Sequence, residues 1–396
     1  MINWESTLSI HVKTLYGLED LLKEELHELK LEDIKVQNRM VSGKGTLEHL
    51  YRICLHARLA LHAYLPIKSF RAKSEQDLYN QALVLPWEKL IGLKDTFAIN
   101  FTVHSPFFKH GKYASLKLKD AIVDRIRNTT GKRPYVDTED PTYFIHIHIS
   151  HQNVSILLDG AGESLHKREY RTATVAAPLN EVLAAGLIKT TRWNGDRPFL
   201  DPMCGSGTLP IEAAMLARGI PSGWYRSKFA FMNWPSFNAL LWEQIRQEAR
   251  TEMRPLMEDV MMFDRSSKAI SIARYNRNNA GLDKWIKAEA LPFEKNRPSG
   301  KPGILFMNPP YGERMRPDEI NRFYKSIGDQ LKKRYSGWEA WIVSSNIQAL
   351  RSIGLRPDKK FKFFNGALEV QLVKYVLRKG EFNLKKQIPS LKQSKN

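Results

Sequence analysis

The chain carries Asn308-Pro309-Pro310-Tyr311 directly after the apolar run Gly303-Ile304-Leu305-Phe306-Met307, and those residue types in that order suit one chemical problem. The exocyclic amine of a nucleobase is a poor nucleophile, because its lone pair is delocalised into the ring. It becomes competent when acceptors hold its two hydrogens and turn the lone pair towards an electrophilic carbon. The Asn308 side-chain oxygen and the Pro309 carbonyl can supply both, since Asn presents a directed acceptor and the prolines Pro309 and Pro310 stiffen the loop. Tyr311 adds a flat face for a base that has left its stack. The plainer reading is a strand running into a Pro-rich turn.

About a hundred residues upstream, Phe199-Leu200-Asp201-Pro202-Met203-Cys204-Gly205-Ser206-Gly207-Thr208 reads as a short strand, a Gly-rich turn and the start of a helix. Gly205 and Gly207 let the backbone approach a ligand closely, and Pro210 fits a first helical turn. Asp201 would repel a pyrophosphate, and the turn lacks the Gly-Lys-Ser/Thr of a triphosphate loop. The acid suits a ligand with an ammonium group, such as the methionine end of S-adenosylmethionine. Further on, Val260-Met261-Met262-Phe263-Asp264 ends a strand with an acid just before a helix from Ser267. A carboxylate there can accept from both ribose hydroxyls of a cofactor, or it can simply cap that helix.

Taken together, the Asn-Pro-Pro-Tyr loop and the Gly turn before it resemble the signature of class I S-adenosylmethionine-dependent amino-methyltransferases acting on adenine N6 or guanine N2. The resemblance implies S-adenosyl-L-methionine as cofactor, held by Asp201, Cys204, Gly205, Ser206, Gly207, Asp264, Glu289, Ala290 and Asn308. Relatives usually carry Asp where this chain has Glu289, placed to accept from the adenine amino group, with the next backbone N–H meeting the ring; a plain surface Glu is the alternative. Asp201 and Asp264 lie 63 residues apart, against ~20 from Gly turn to acid in a simple dinucleotide fold. The extra length, Gly219 to Glu258, is rich in aromatics (Trp224, Tyr225, Phe229, Phe231, Trp234, Phe237, Trp242). An insertion of this kind occurs in the guanine-N2 methyltransferases of large-subunit ribosomal RNA.

The elements that must position these residues alternate between strand and helix from about Leu165 to Leu377, with strands near Phe199, Val260, Ile286, Ile304, Ala340 and Val370. That is the pattern of a doubly wound sheet. Before it, Leu8–Lys13, a helix with Leu18, Leu21, Leu22, Leu26 and Leu29 on one face, a hairpin over residues 34–43 and a helical pattern from Leu47 to Leu65 predict a small ferredoxin-like unit. From Ser69 to Asp159 a second α+β block follows, with alternating strands at Phe97–Val103 and Phe144–Ile149. In strand–helix order this block resembles the THUMP domain, an RNA-binding module of tRNA- and rRNA-modifying enzymes.

Between Asn100 and Tyr135 lie Lys109, Lys112, Lys117, Lys119, Arg125, Arg127, Lys132 and Arg133 against only Asp120 and Asp124, interleaved with Phe107, Phe108 and Tyr113. Basic side chains neutralise phosphates and aromatics stack on unpaired bases, so Lys109, Lys112, Lys117, Lys119, Lys132 and Arg133 are candidate RNA contacts. Arg168 and Arg171, in the basic run Lys167-Arg168-Glu169-Tyr170-Arg171, join them. Arg314 either holds phosphate or pairs with Glu313.

The net charge of +19 and pI near 9.7 favour an acidic polymer as partner. No apolar run reaches the ~18–20 residues needed to span a bilayer, and the N-terminus lacks the basic-then-apolar order of a secretory signal. Two cysteines, Cys54 and Cys204, build neither a disulfide framework nor a zinc site. His146, His148 and His151 have no carboxylate or thiol at ligand spacing, and methyl transfer needs no metal. A cytoplasmic protein without metal or membrane partner is expected.

The expected fold is α/β and α+β: a ferredoxin-like region over residues 1–66, a THUMP domain over 67–163, a Rossmann-like class I methyltransferase domain over 164–384 and a basic disordered tail over 385–396. The second methyltransferase domain fused to some relatives is not expected here. The expected activity is methylation of a guanine N2 amine in 23S rRNA or its assembly intermediates. The alternatives are a tRNA guanine-N2 enzyme, a nucleic-acid adenine-N6 enzyme, or a non-catalytic RNA-binding assembly factor that kept the fold.

Overall fold

The computed structural model describes residues 2–175, 178–298, 300–310 and 316–378. Tyr311, Arg314 and the tail beyond residue 378 therefore lie outside the described residues. The chain divides into two compact units, one of Met1–Glu169 with Ile220–Met253, the other of Tyr170–Gly219 with Arg254–Asn396.

The first unit opens with β1 (Leu8–Lys13), α1 (Glu19–Glu28), β2 (Glu32–Gln37), β3 (Met40–Gly45), α2 (Leu47–His56) and β4 (His62–Arg71). It continues with α3 (Glu75–Leu83), β5 (Thr96–His104), α4 (Gly111–Thr130), β6 (Tyr135–Val136), β7 (Tyr143–Ser150) and β8 (Asn153–Asp159). The sequence predicted two separate α+β blocks. The strands of both blocks join in one sheet, in the order β2-β3-β1-β4-β8-β7-β5-β6. The joint is β4, whose first residues pair with β1 while Tyr64–Arg71 pair with β8. Its register shifts between Pro66 and Lys68, where proline has no N–H to give to the ladder.

The helix expected from Leu47 to Leu65 stops at His56; residues 57–61 turn the chain, and the end of that apolar stretch is the start of β4 at His62. A short apolar run cannot be assigned to helix or strand by spacing alone. The core is alternating: Leu8, Ile10 and Val12 on β1 and Ile145, Ile147 and Ile149 on β7 are buried. Helix α1 packs on β2 and β3, α2 on β3 and β4, and α4 on β5.

The second unit runs through α5 (Glu181–Thr190), β9 (Phe199–Asp201) and α6 (Thr208–Ala217). The chain then leaves for the aromatic segment that contains α7 (Ala239–Thr251) and belongs to the first unit. There Tyr51 of α2 stacks on Phe231 at 4.4 Å and meets Phe237 and Trp242 edge-on. Arg52 joins Glu48 at 2.8 Å and Glu248 of α7 at 2.6 Å. Gly223 donates its amide to the Leu55 carbonyl at 2.8 Å, and a Cβ there would sit 2.7 Å from the Cys54 oxygen, so only glycine permits that approach. The sequence located this insertion correctly but not the partner that its aromatics cover.

The excursion is closed at its base. The Arg254 amide donates to the Arg218 carbonyl at 2.9 Å and its Nε to the Ala217 carbonyl at 2.8 Å. The unit resumes with β10 (Val260–Asp264), α8 (Ser267–Asn279), β11 (Ile286–Ala290), β12 (Ile304–Met307), α9 (Pro317–Arg334), β13 (Glu339–Ser344), α10 (Ile347–Ser352), β14 (Lys359–Asn365) and β15 (Leu368–Val376). The sheet order is β11-β10-β9-β12-β13-β15-β14, with the first five strands parallel and β15 antiparallel to both neighbours. Strand β9 is flanked by β10 and β12, so consecutive connections depart to opposite sides of it. In such sheets the crevice beyond the C-terminal strand ends at this reversal is where ligands bind. No described helix is long and apolar enough to cross a membrane.

Candidate functional site

Asp201 ends β9, Asp264 ends β10, Ala290 ends β11 and Asn308 follows β12 directly. The parallel register sets Met262 opposite Asp201 and Asp264 opposite Ala290, so the acid and amide candidates share the C-terminal edge around the reversal.

Backbone hydrogen bonds stitch the Gly turn to β10. Cys204 N–H donates to the Phe263 carbonyl at 2.9 Å, and Gly205 N–H to Asp264 Oδ2 at 3.0 Å. The other Asp264 oxygen accepts from Ser266 N–H at 2.9 Å. Helix α8 is capped by Ser266, whose hydroxyl accepts from Ala269 N–H, so Asp264 is not the cap. Gly205 and Gly207 have φ of +55° and +83°, values that side-chain-bearing residues rarely adopt. A Cβ on Gly207 would also stand 3.2 Å from Ala273 Cβ.

Asp201 is buried, with Oδ1 accepting from Met203 N–H at 3.0 Å. Burial pushes its carboxyl well above the usual carboxylate range; the Met203 amide opposes that, and the neighbouring Asp264 charge adds to it. Two acids held this close suit a ligand bearing a cation and hydroxyls, and would repel a phosphate. The donor set thus fits S-adenosylmethionine. Burial also pushes the Cys204 thiol well up, with Asp201 and Asp264 adding to the effect, so it is a packing side chain rather than a nucleophile.

Sequence reasoning missed Asn276. It is fully buried on α8 and donates to the Ser206 carbonyl at 3.0 Å and the Ala173 carbonyl at 2.9 Å. It thereby ties the Gly turn to the segment before α5. Asn279, one turn on, holds the Tyr170 carbonyl at 3.2 Å and the Thr172 hydroxyl at 3.0 Å. Leaving a buried carbonyl without its donor costs about 1–3 kcal/mol.

Glu289 is half exposed and faces Lys287 at 3.4 Å, a surface pair of little energetic weight. Asn308 is half-buried, Pro309 buried and Pro310 exposed.

In the first unit, Lys109, Lys112, Lys132 and Arg133 are exposed, as are Phe107, Tyr113 and Phe101. The Lys117 ammonium lies 5.6 Å from the Tyr113 ring centre, and Lys119 pairs with Asp120 at 2.8 Å. Phe108 is buried and is not free to stack on a base.

Two further RNA-contact expectations are corrected. Arg168 is fully buried, its guanidinium donating to the carbonyls of Leu165 and Arg58 at 2.8 and 2.5 Å. Arg171 is engaged with Glu181 at 2.9 Å and with the Leu179 carbonyl at 2.7 Å. Arg168 is withdrawn from solvent, and Arg171, though 12% exposed, is committed to acceptors beside it. His146 is buried beside Tyr64, with ring centres 5.2 Å apart, and burial lowers its pKa to about 3.

Comparison with known proteins bears on the same residues. The family profile described as RMKL-like, methyltransferase domain, matches residues 168–374; that of the THUMP domain matches 72–159, and that of the RlmL ferredoxin-like domain 9–62. A ribosomal RNA large subunit methyltransferase K/L of Syntrophotalea carbinolica is 36% identical over 378 residues, covering 92% of this chain and 53% of that protein. A putative RNA methyltransferase of Synechocystis, slr0064, is 36% identical over 91% of this chain and 94% of its own length. The chain spans about half the length of the K/L relatives it matches. Among solved structures, SMU.472, a putative methyltransferase complexed with SAH, superposes with a TM-score of 0.86 at 29% identity, over 94% of this chain and 98% of the other.

Proposed function

The chain belongs to the family of RMKL-like methyltransferases, and from that premise we propose that it uses S-adenosylmethionine to methylate the exocyclic N2 amine of a guanine in 23S ribosomal RNA. The observation that carries the reading is the line of Asp264, Asp201 and Asn308 along the C-terminal ends of three neighbouring parallel strands. Asp201 holds the cofactor ammonium, restoring a favourable environment to a carboxyl that burial disfavours. Asp264 holds the ribose hydroxyls beside the Gly205 amide, and Glu289 and Ala290 border the adenine ring. The bound cofactor would supply an electrophilic methyl on its sulfonium sulfur, the S–CH3 bond breaking as the N–CH3 bond forms and S-adenosylhomocysteine being left.

Asn308 and Pro309 then accept the two amine hydrogens and turn the lone pair towards that methyl, and Tyr311 stacks the flipped base. Methylation raises the acidity of the amine, so its proton can pass to water without a strong base. Catalysis on this account is mostly positioning. The Lys109, Lys112, Lys132 and Arg133 surface of the first unit supplies RNA affinity, which its THUMP match supports. Large-subunit rRNA as substrate is supported by the names of the K/L relatives, and the guanine amine by the aromatic insertion. A 23S rRNA substrate, free or in assembly intermediates, supports a cytoplasmic location.

The test is mass spectrometry of nucleosides from 23S rRNA and tRNA of a deletion strain. Loss of N2-methylguanosine from one 23S rRNA fragment is expected. Loss from tRNA instead would move the substrate, loss of N6-methyladenosine would change the base, and no loss in either RNA would remove the enzymatic reading.

A further inference from the structure

Helix α9 and strand β13 meet beneath the Pro309-Pro310 turn in a way that the amine grip does not itself require. Tyr324 on α9 is fully buried, and its hydroxyl lies 2.7 Å from Ser344 Oγ and 3.4 Å from the Pro310 carbonyl oxygen. Ser344, the last residue of β13, is also fully buried, and its Oγ accepts the Asn346 amide at 3.0 Å.

Each hydroxyl carries a single proton, and that count gives the chain a direction. If Tyr324 donated to Ser344, its contact with Pro310 would set two oxygens together with no hydrogen between them. In the opposite sense each of the three contacts holds one proton. The Asn346 amide donates to Ser344, the Ser344 hydroxyl to Tyr324, and the Tyr324 hydroxyl to the Pro310 carbonyl.

We infer that this Asn346–Ser344–Tyr324 relay positions the amine grip by pinning the carbonyl of Pro310. Only two torsions, φ and ψ of Pro310, separate that carbonyl from the carbonyl of Pro309. The pyrrolidine ring locks the first and the relay fixes the second. The Pro309 oxygen, one of the two amine acceptors, is thereby aimed from the protein core. Tyr324 is thus a positioning residue that touches neither base nor cofactor. Its bond to Pro310, at 3.4 Å, is the longest and therefore the weakest link of the relay.

The inference rests on the loop being the amine grip, and the experiment separates the two. Tyr324→Phe keeps the buried ring and deletes the last proton of the relay; Ser344→Ala breaks its middle. With the full chain and its RNA substrate, kcat falls roughly tenfold in either variant, the effect of losing about one aligned hydrogen bond. KM for RNA and affinity for S-adenosylhomocysteine stay near wild type, a split that general loosening of the core would not produce. The double variant is no worse than the poorer single, because the two bonds act in series, and Ser344→Thr, which keeps a hydroxyl, retains turnover.

Wild-type turnover in Tyr324→Phe, or losses that multiply in the double variant, would overturn the relay. If wild type transfers no methyl to RNA, or Asn308→Ala turns over normally, the grip itself fails. The relay is then judged by hydrogen exchange over residues 304–317: faster exchange in Tyr324→Phe upholds the buttress, and unchanged exchange removes it.

Discussion

Asp264 accepts two backbone amides and keeps its carboxylate at the strand edge, so its removal acts on the cofactor first. Asp264→Ala is expected to weaken S-adenosylhomocysteine at least tenfold, on the order of 1.4 kcal/mol, in a calorimetric titration; equal affinities would cancel the ribose assignment. Asn308→Ala should do the reverse, reducing methylation at least a hundredfold with cofactor affinity within about twofold, because its acceptor acts on the base in the transition state. Near-normal turnover would mean that the amine is held elsewhere.

Asp201 yields a pH-dependent prediction. Its folded pKa is raised above the unfolded value, so ionisation opposes folding, and stability from this group falls as pH rises from the ordinary carboxylate range towards the folded pKa. In the cofactor-free protein, Asp201→Asn should therefore melt no lower than wild type at neutral pH and lose less stability between mildly acidic and neutral solution, while binding cofactor more weakly. A variant that melts well below wild type would show that the carboxylate stabilises the turn. The geometry around the candidate site was legible where partners are near neighbours in a strand–turn–helix signature, as with the turn of Asp201, Gly205 and Gly207. Asn276 was illegible because the carbonyls it holds lie 70 and 103 positions away. Arg168 misled because charge in a sequence reads as surface, although a buried guanidinium can be satisfied by carbonyls.

At the scale of elements, the parallel strands were readable from short apolar runs ending in candidate site residues, and the reversal at β9 follows from their order. The single eight-stranded sheet of the first unit was not readable. It depends on β4 pairing with β1 at one end and β8 along the rest, and pairings this distant leave no local periodicity. The RNA-binding prediction belongs to helix α4 and its two ends, since Lys112 lies in its first turn, Lys109 just before it, and Lys132 and Arg133 just after it. Changing Lys109, Lys112, Lys132 and Arg133 to Glu should weaken RNA binding and lower the slope of log K against log salt by up to about three to four, close to one for each phosphate no longer neutralised, with cofactor affinity unaltered. RNA binding at wild-type strength and slope in filter assays would reduce the patch to a solvated face.

For the whole molecule, the excursion of residues 220–253 bears on how the chain can be divided. A fragment beginning at residue 170 keeps Phe229, Phe231, Trp234 and Trp242, all buried in the intact chain, but loses Tyr51 and the rest of the surface they cover. That fragment is expected to aggregate, since a freed aromatic cluster of this size exceeds what monomers usually expose. Because Arg218 and Arg254 already meet across the base, replacing residues 220–253 by a short Gly-Ser linker should give a monodisperse fragment that still binds S-adenosylhomocysteine. Light scattering and calorimetry on the pair decide this; similar behaviour of both fragments would show that the excursion is not committed to the first unit.

The same excursion sets a timetable for synthesis. The N-terminal unit has most of its residues out once position 169 clears the ribosome, yet the part that covers Tyr51 ends only at position 253. At ~5–20 residues per second the nascent sheet waits on the order of 4–17 s with that aromatic surface bare. Meanwhile β9 and α6 of the other unit emerge without the strands that will flank them. The two units are therefore completed in an interleaved order, and a pause placed between codons 169 and 253 should burden chaperones more than a pause of equal length after codon 260.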